Sequence, residues 1–326
     1  MNVRRLIPTA AIASVTVLGL TALSACSSSN AADKGGDGKL NVVASFYPMQ
    51  FLAQEIGGDH VSVDTLTKPG VEPHDLELSP QQTASLGEAD MILYLKGIQP
   101  AVDDAIGQSG VDNTLDAAEL TKLEKHGTGV GHDHGHEGEE HGHESESEGE
   151  GEGGADPHIW LDPVKYAEVA EGVGKAMEKA DPDHAAAYKK NTKDLVKKLD
   201  GLNTKFTDGL RNTKTKTFIT THSAFGYLAE RYGLDQESIS GIDPESDPSP
   251  ARIKELQGIA EEDDVSTVFF ETLASDKTAK TLAKDTGLKT DVLDPLEGIT
   301  GKSEGDDYVE VMESNLAALE KALGAK

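Results

Sequence analysis

Histidines are the residues of this chain whose type and spacing could do chemistry. The sequence contains 11 of them, and six lie within residues 126–155, a stretch made almost entirely of Gly, His, Glu, Asp and Ser. Such a stretch has almost no apolar residues to pack, so we predict a solvated, disordered loop whose histidines bind metal ions weakly. An insertion whose acids only keep it in solution is the alternative. The six are His126, His132, His134, His136, His141 and His143.

Three other histidines follow predicted strands or sit in rigid corners. His74 lies in the loop after a predicted strand at 61–66, and His222 ends a predicted strand at 217–221. His158 stands between two Asp-Pro corners and next to the only tryptophan. Ligands of open parallel sheets bind at the carboxyl ends of strands, so these three imidazoles can converge although they are far apart in sequence. His60 and His184 carry no functional prediction.

Three imidazoles and one carboxylate form a ligand set that zinc accepts. The carboxylate has three candidates, each of which follows a predicted strand in the second half of the chain, and the residues alone do not choose among them. The candidates are Glu271, Asp294 and Glu297.

The elements that must position these ligands follow an α/β pattern. Strands alternate with helices from residue 39 onward, which predicts parallel sheets flanked by helices. A chain of 326 residues is long for a single core, so we predict two lobes, at 39–182 and 212–326. Between them, residues 183–211 carry one apolar stripe at helical spacing. A helix of that length spans about 40 Å, and we predict that it joins the lobes as a rigid strut.

The N-terminus predicts export. Arg4 and Arg5 precede an apolar run at 6–23, so residues 1–25 resemble a secretory signal peptide. Cys26, the only cysteine, follows Leu-Ser-Ala and resembles the lipidated cysteine of a bacterial lipobox. Residues 26–38 are small and polar, as suits a flexible tether. We therefore expect a protein anchored by lipid on the outer face of the cytoplasmic membrane.

The charge of the chain limits its partners. With 30 basic and 58 acidic residues, its formal net charge is −28. Nucleic acid is excluded as a partner, because phosphate contacts need a basic surface. An acidic protein attracts cations instead.

Four motifs together resemble the metal-specific solute-binding proteins of bacterial ABC importers for zinc and manganese, the cluster A-I type. The motifs are EPHD at 72–75, DPHIWLDP at 156–163, THSAFGY at 221–227 and LDPLE at 293–297. The resemblance covers essentially the whole mature chain. It implies two α/β lobes bridged by one long helix, with the metal between the lobes and small local rearrangements in place of wide domain closure.

The resemblance also implies the ligands and the role. The family histidines fall on His74, His158 and His222, and the fourth position falls on Glu297, with Asp294 as the alternative. Manganese-binding members of the family carry a carboxylate at the position that matches His222. This chain has a histidine there, so the resemblance implies that it prefers Zn²⁺ to Mn²⁺. The implied protein is a monomeric, non-enzymatic component that captures Zn²⁺ outside the cytoplasm and delivers it to a membrane permease.

Three alternatives remain open from the sequence. A manganese-binding homologue would differ in metal preference, and a surface adhesin would use the same fold to bind host matrix. A mononuclear zinc hydrolase would use three histidines with an open fourth position. No HExxH pair or evident acid–base partner supports the hydrolase, and we predict that the protein is not an enzyme.

Overall fold

This computed structural model describes residues 38–126 and 155–326, except positions 243, 245 and 247. Two parallel four-stranded sheets form the frame of the described chain. The strands of the first sheet are Leu40–Ala44 (β1), Val61–Thr65 (β2), Met91–Tyr94 (β3) and Thr114–Asp116 (β4). Those of the second are Thr217–Thr220 (β5), Asp235–Ser238 (β6), Thr267–Phe270 (β7) and Lys289–Val292 (β8). The sheet orders are β2-β1-β3-β4 and β6-β5-β7-β8, and every pairing is parallel. The predicted α/β fold class is confirmed.

Helices connect successive strands, as parallel pairing requires. They are Tyr47–Gly57 (α1), Pro80–Gly87 (α2), Pro100–Ser109 (α3), Pro163–Ala180 (α4), Ala185–Leu210 (α5), Gly226–Tyr232 (α6), Pro250–Glu262 (α7), Lys277–Thr286 (α8) and Tyr308–Leu323 (α9). Several begin with proline after a capping residue, a favoured start because the first backbone N–H has no helical partner. At α2, Ser79 and Gln82 form a reciprocal capping box. We call β1–β4 with α1–α4 the N-terminal lobe, and β5–β8 with α6–α9 the C-terminal lobe.

The helix between the two lobes, α5, is the longest one described. Its 26 residues span about 39 Å. The helix starts at Ala185 and ends at Leu210, slightly inside the predicted range 183–211, because residues 182–184 form a short 3-10 turn. Its buried side chains are those of the predicted stripe, Tyr188, Leu195, Leu199, Leu202, Phe206 and Leu210. Helix α5 packs against α1 and α4 of the N-terminal lobe and against α9 of the C-terminal lobe.

One hydrophobic core continues from the N-terminal lobe through α5 into the C-terminal lobe. Trp160 is fully buried within it and packs edge-on against Phe46, with ring centroids 5.0 Å apart. The indole Nε1 of Trp160 donates a hydrogen bond to the carbonyl of Pro295, 2.7 Å away. The Tyr308 hydroxyl donates to the carbonyl of Trp160 at 2.6 Å. Buried apolar surface and these hydrogen bonds therefore hold the two lobes together.

Several predictions fall on residues outside the described part of the chain. They are the signal peptide at 1–25, the proposed lipidation of Cys26, most of the tether, and the loop histidines His132, His134, His136, His141 and His143. Among the described residues, we find no helix with both the length and the apolar character needed to cross a membrane.

Candidate metal centre

Four side chains from four separate segments meet between the lobes. His74 comes from the loop after β2, and His158 lies just before the 3-10 turn Ile159–Leu161 that leads into α4. His222 follows β5, and Glu297 follows β8. Parallel strands present their carboxyl ends at one edge of a sheet, which is why loops after different strands reach the same point.

The donor atoms of this group are spaced as a metal site requires. The Nε2 atoms of His74, His158 and His222 each lie 3.3 Å from Oε1 of Glu297. All four donor atoms lie within 4.8 Å of one another. A tetrahedral zinc ion with bonds of about 2.0 Å separates its donors by about 3.3 Å, so the carboxylate oxygen already stands at the tetrahedral distance from each imidazole.

The burial of these donor atoms is energetically unfavourable unless a cation is bound to them. His158 and Glu297 are completely buried and His222 is 1% exposed, while the His74 side chain is 9% exposed. Within the described structure, Nε2 of His158, Nε2 of His222 and Oε2 of Glu297 are buried without a hydrogen-bond partner. Buried polar atoms are almost always satisfied in native proteins, and a metal ion would satisfy the two nitrogens directly.

Two carboxylates orient two of the imidazoles. Oδ1 of Asp156 lies 2.8 Å from Nδ1 of His158 and also accepts a hydrogen bond from the backbone N–H of His158 at 3.0 Å. Oε1 of Glu271 lies 2.8 Å from Nδ1 of His222 and accepts from the Thr221 hydroxyl at 2.9 Å. A carboxylate that accepts a hydrogen bond from Nδ1–H fixes the tautomer and leaves Nε2 as the donor to metal.

The structure separates the three candidate carboxylates. Glu297 reaches the imidazoles, whereas Glu271 orients His222 from behind. Asp294 lies outside the group of four. Its Oδ1 accepts the backbone N–H of Leu296 at 2.8 Å, and its Oδ2 accepts the Thr272 hydroxyl at 3.1 Å. Asp294 therefore supports the loop that carries Glu297.

That loop contains an unusual backbone conformation. Leu296 has φ of 58°, a left-handed conformation that is rare for residues other than glycine and costs about 1 kcal/mol or more. Its side chain is completely buried, and its N–H is held by Asp294. Packing and this hydrogen bond stabilise the turn that directs Glu297 inward.

The ionisable groups of the centre reinforce each other's charged forms. Burial acts to raise the pKa of Glu297, but the charge of His222 and the contacts with His158 and His74 outweigh it and hold this pKa well below its usual range. Burial acts to lower the pKa of His222, yet Glu271 and Glu297 hold it well above its ordinary value. The pKa of His158 is likewise raised, because Asp156 and Glu297 outweigh its burial.

Glu72 adds a further carboxylate at the edge of the centre. Burial, followed by the charge of Glu297, raises the pKa of Glu72 to about 9. Its Oε1 accepts the backbone N–H of His74 at 3.3 Å. The carboxyl groups of Glu72, Glu271 and Glu297 approach to within 4.8 Å, and with its raised pKa Glu72 stays protonated beside the other two at neutral pH.

His126, the first histidine of the predicted loop, lies apart from this centre. It belongs to a second group with Glu124 and Glu230, whose donor atoms also lie within 4.8 Å of one another. The sequence singled out neither glutamate, because nothing in its local pattern marks it. The roles of Asp156 and Glu271 as orienting partners were also not predicted, although Asp156 stands only two residues before His158.

Two parallel-sheet lobes that pack on one long helix define the class of α/β solute-binding proteins. The chain belongs to the ZnuA family, described as the periplasmic component A of the zinc-uptake complex, whose model matches residues 42–322.

The relatives of the chain cover it almost completely. It is 36% identical over 302 residues to the zinc-binding lipoprotein AdcA of Streptococcus pneumoniae, covering 92% of this chain but 58% of that protein. It is 36% identical over 318 residues to the high-affinity zinc uptake system protein ZnuA of Bacillus subtilis, a match that covers 93% of this chain and 94% of that protein. The crystal structure of the Zn(II)-bound ZnuA-like domain of S. pneumoniae AdcA superimposes with a TM-score of 0.70 at 33% identity, over 88% of this chain and 99% of that one.

Proposed function

We propose that this chain captures Zn²⁺ outside the cytoplasm and delivers it to the membrane permease of an ABC importer. One observation carries the proposal: three Nε2 atoms, those of His158 and His222 buried and that of His74 nearly so, each lie 3.3 Å from one buried carboxylate oxygen, that of Glu297. Membership of the zinc-uptake family and the names of the relatives support the same cargo.

The ligand set favours zinc over manganese. His74, His158, His222 and Glu297 offer three nitrogens and one oxygen, a combination that suits Zn²⁺, whereas Mn²⁺ prefers carboxylate and water oxygens. Asp294 supports Glu297 through the backbone of Leu296. Four protein donors close a tetrahedral site, whereas a catalytic zinc keeps one position for water. We therefore propose binding and transfer without catalysis.

Capture and release follow from the hydrogen bonds around the ligands. Asp156 and Glu271 accept hydrogen bonds from Nδ1–H of His158 and His222, so that neutral imidazoles present Nε2 to the ion. The continuous core through α5 opposes wide separation of the lobes. Release to the permease then depends on local movement of the loop that carries His74, since His74 is the most exposed of the four donors.

The remaining parts of the chain would place this site at the membrane. We propose a signal peptide at 1–25, a lipid on Cys26 and a tether at 26–38, which would hold a monomer on the outer face of the cytoplasmic membrane. The lobes would extend over 39–182 and 212–326, joined by residues 183–211. The histidines of the 126–155 segment would gather zinc weakly, with an affinity below that of the buried site.

Chelator competition on the chain from residue 27 onward tests the function. We expect one tight zinc site, weaker manganese binding, and a loss of zinc affinity of about 100-fold or more in His158→Ala, since a structural zinc site of about 10 to 16 kcal/mol is shared among four ligands.

The matched control is His60→Ala, a histidine outside the group of four that stacks on His184 with centroids 4.0 Å apart. This variant should keep the tight site. Tighter binding of manganese, or an unchanged tight site in His158→Ala, would contradict the proposal.

A further inference from the structure

His126 is held in a fixed position by carboxylates on both sides of its ring. Its Nδ1 lies 2.8 Å from Oδ2 of Asp156, and its Nε2 lies 2.9 Å from Oε2 of Glu230 on α6. The ring packs edge-on against Tyr227, with centroids 4.3 Å apart. A Cβ atom at Gly226 would stand 2.4 Å from Cβ of His126, so only glycine at that position leaves room for the imidazole.

Glu124 brings a second negative charge to the same place. Its carboxylate, His126 Nε2 and the Glu230 carboxylate lie within 4.8 Å of one another. Lys165 approaches Glu124 with its Nζ at 3.3 Å and Lys122 at 3.7 Å, so a cation at Glu124 competes with two ammonium groups, which weakens binding there. The side chain of Glu230 is 57% exposed and that of His126 16% exposed, so an ion from solvent can reach the group.

Asp156 connects this group to the central one. Its two carboxylate oxygens are divided between two imidazoles, Oδ2 with Nδ1 of His126 and Oδ1 with Nδ1 of His158, each at 2.8 Å. The carboxylate is completely buried. Metal-binding histidines commonly donate their second ring N–H to a carboxylate, and here one carboxylate serves two such histidines.

We propose that Glu124, His126 and Glu230 form a second, weaker site for Zn²⁺ or a similar divalent cation, coupled to the central site through Asp156. One nitrogen and two carboxylates leave coordination positions for water, and the ligands are partly exposed, so this site binds less tightly than the buried one. It uses none of the histidines between residues 127 and 154. The second site stands independently of the proposed function, whereas the coupling rests on it.

The sign of the coupling follows from the shared carboxylate. Both ring nitrogens of His126 face carboxylate oxygens, which can only accept, so without a metal ion the ring is a protonated imidazolium. A divalent cation on Nε2 displaces the proton that Nε2 donates to Glu230, and the remaining Nδ1–H is a weaker donor to Oδ2 of Asp156 than that of the imidazolium. More negative charge is then left on Oδ1 for His158, whose Nε2 becomes a stronger donor to the central ion. Occupancy of the second site therefore strengthens the central site and slows release from it.

Zinc titration with a calorimetric and mass-spectrometric readout tests the second site. The background is the chain from residue 27 with five loop histidines replaced by alanine: His132, His134, His136, His141 and His143. We expect two zinc ions per chain, one tight and one weaker. Glu230→Gln and His126→Ala should each lose the weaker ion only, while the control Glu261→Gln, an exposed glutamate at the end of α7, keeps both.

The variants also separate this proposal from the central one. His158→Ala should lose the tight ion and keep the weaker ion. A weaker stoichiometric ion that persists in both Glu230→Gln and His126→Ala would overturn the second site. A background chain in which no tight ion depends on His158 would overturn the proposed function, and the second site would still be decided by Glu230→Gln.

Isotope exchange tests the coupling. The central site is loaded with one zinc isotope and mixed with increasing amounts of another, and release is followed by mass spectrometry. Filling the second site should slow release about two- to tenfold, a smaller effect than the loss of an orienting carboxylate. Glu230→Gln should remove this slowing. Equal release rates at all zinc concentrations, in a chain that holds both ions, would overturn the coupling.

Discussion

The two lobes share one sheet order but supply different parts of the centre. In both, the second strand pairs with the first, followed by the third and fourth. The N-terminal lobe supplies the imidazoles of His74 and His158, whereas the C-terminal lobe supplies one imidazole, His222, and the carboxylate of Glu297. Neither lobe holds a complete ligand set. The repeated topology provides places for ligands, and the loops decide which ligand stands in each place.

Each lobe also provides one orienting carboxylate, and these two differ in their surroundings. Asp156 divides its oxygens between His158 and His126. Glu271 serves His222 and Thr221 through one oxygen, while its Oε2 is buried without a hydrogen-bond partner in the described structure. The support of His158 is therefore shared with a second histidine, and the support of His222 is not.

Substitution of each orienting carboxylate by an amide should give the largest effect and compares the roles of Asp156 and Glu271 directly. Asp156→Asn and Glu271→Gln should each weaken zinc binding about 10- to 100-fold, because the amide no longer fixes the imidazole as the carboxylate does. We expect a second, weaker zinc ion to be affected by Asp156→Asn alone. Chelator competition measures both effects, with Glu313→Gln, an exposed partner of Lys205, as control. Unchanged affinity in both variants would contradict the orienting role.

The pH dependence of zinc binding distinguishes the lobes further. Zinc needs neutral imidazoles, and the pKa values of His158 and His222 are raised above 6.5. Affinity should therefore fall as pH drops, by about tenfold per pH unit for each titrating histidine, beginning above pH 6.5. Glu271→Gln should move this onset to lower pH more than Asp156→Asn, because the pKa of His222 is the more strongly raised. The measurement is zinc affinity between pH 5.5 and 8.5.

The metal-free protein should respond to pH in the opposite direction. The pKa values of His158 and His222 are raised in the folded state above the value of about 6.5 that they have in the unfolded chain. Their protonation therefore stabilises the folded state fully at pH values below 6.5, and this contribution is lost as the pH rises through the folded-state pKa. The melting temperature of the metal-free chain should therefore decrease above pH 6.5, while zinc affinity increases. A melting temperature that rises together with affinity would contradict the assigned pKa directions.

The smallest expected effect concerns an ion pair between the lobes. Arg231 on α6 donates from Nε and Nη2 to Oδ2 of Asp162, at 2.9 and 2.6 Å, and Oδ1 of Asp162 caps α4. The arginine side chain is 36% exposed, so Arg231→Ala should lower the free energy of unfolding by only about 1 kcal/mol. Urea denaturation measures this, with Lys205→Ala as an exposed control. Zinc affinity should stay within about twofold of the parent.

The fold and the convergence of ligands were accessible from the sequence for simple reasons. The alternation of strands and helices predicted parallel sheets, and the six apolar positions of α5 are all buried as its helical period predicted. His74, His158 and His222 were selected because strand ends meet at one edge. The order of strands and helices determines which loops meet, so this convergence can be predicted without knowing any interatomic distance.

Other features depend on distances that the sequence does not contain. The choice of Glu297 over Asp294 depends on the backbone of Leu296, which turns one carboxylate inward and leaves the other to hold the turn. His126 was predicted to lie in a solvated loop, but it packs against Tyr227 and Asp156. Asp156 and Tyr227 lie 30 and 101 positions away along the chain, so no local pattern could predict that packing.

The left-handed turn at Leu296 ties the metal centre to the packing of the C-terminal lobe. Its buried side chain and its hydrogen bond to Asp294 hold Glu297 beside the three imidazoles. A movement that takes Glu297 away from them must also disturb this packing, so the same contacts that fix the turn oppose loss of the carboxylate.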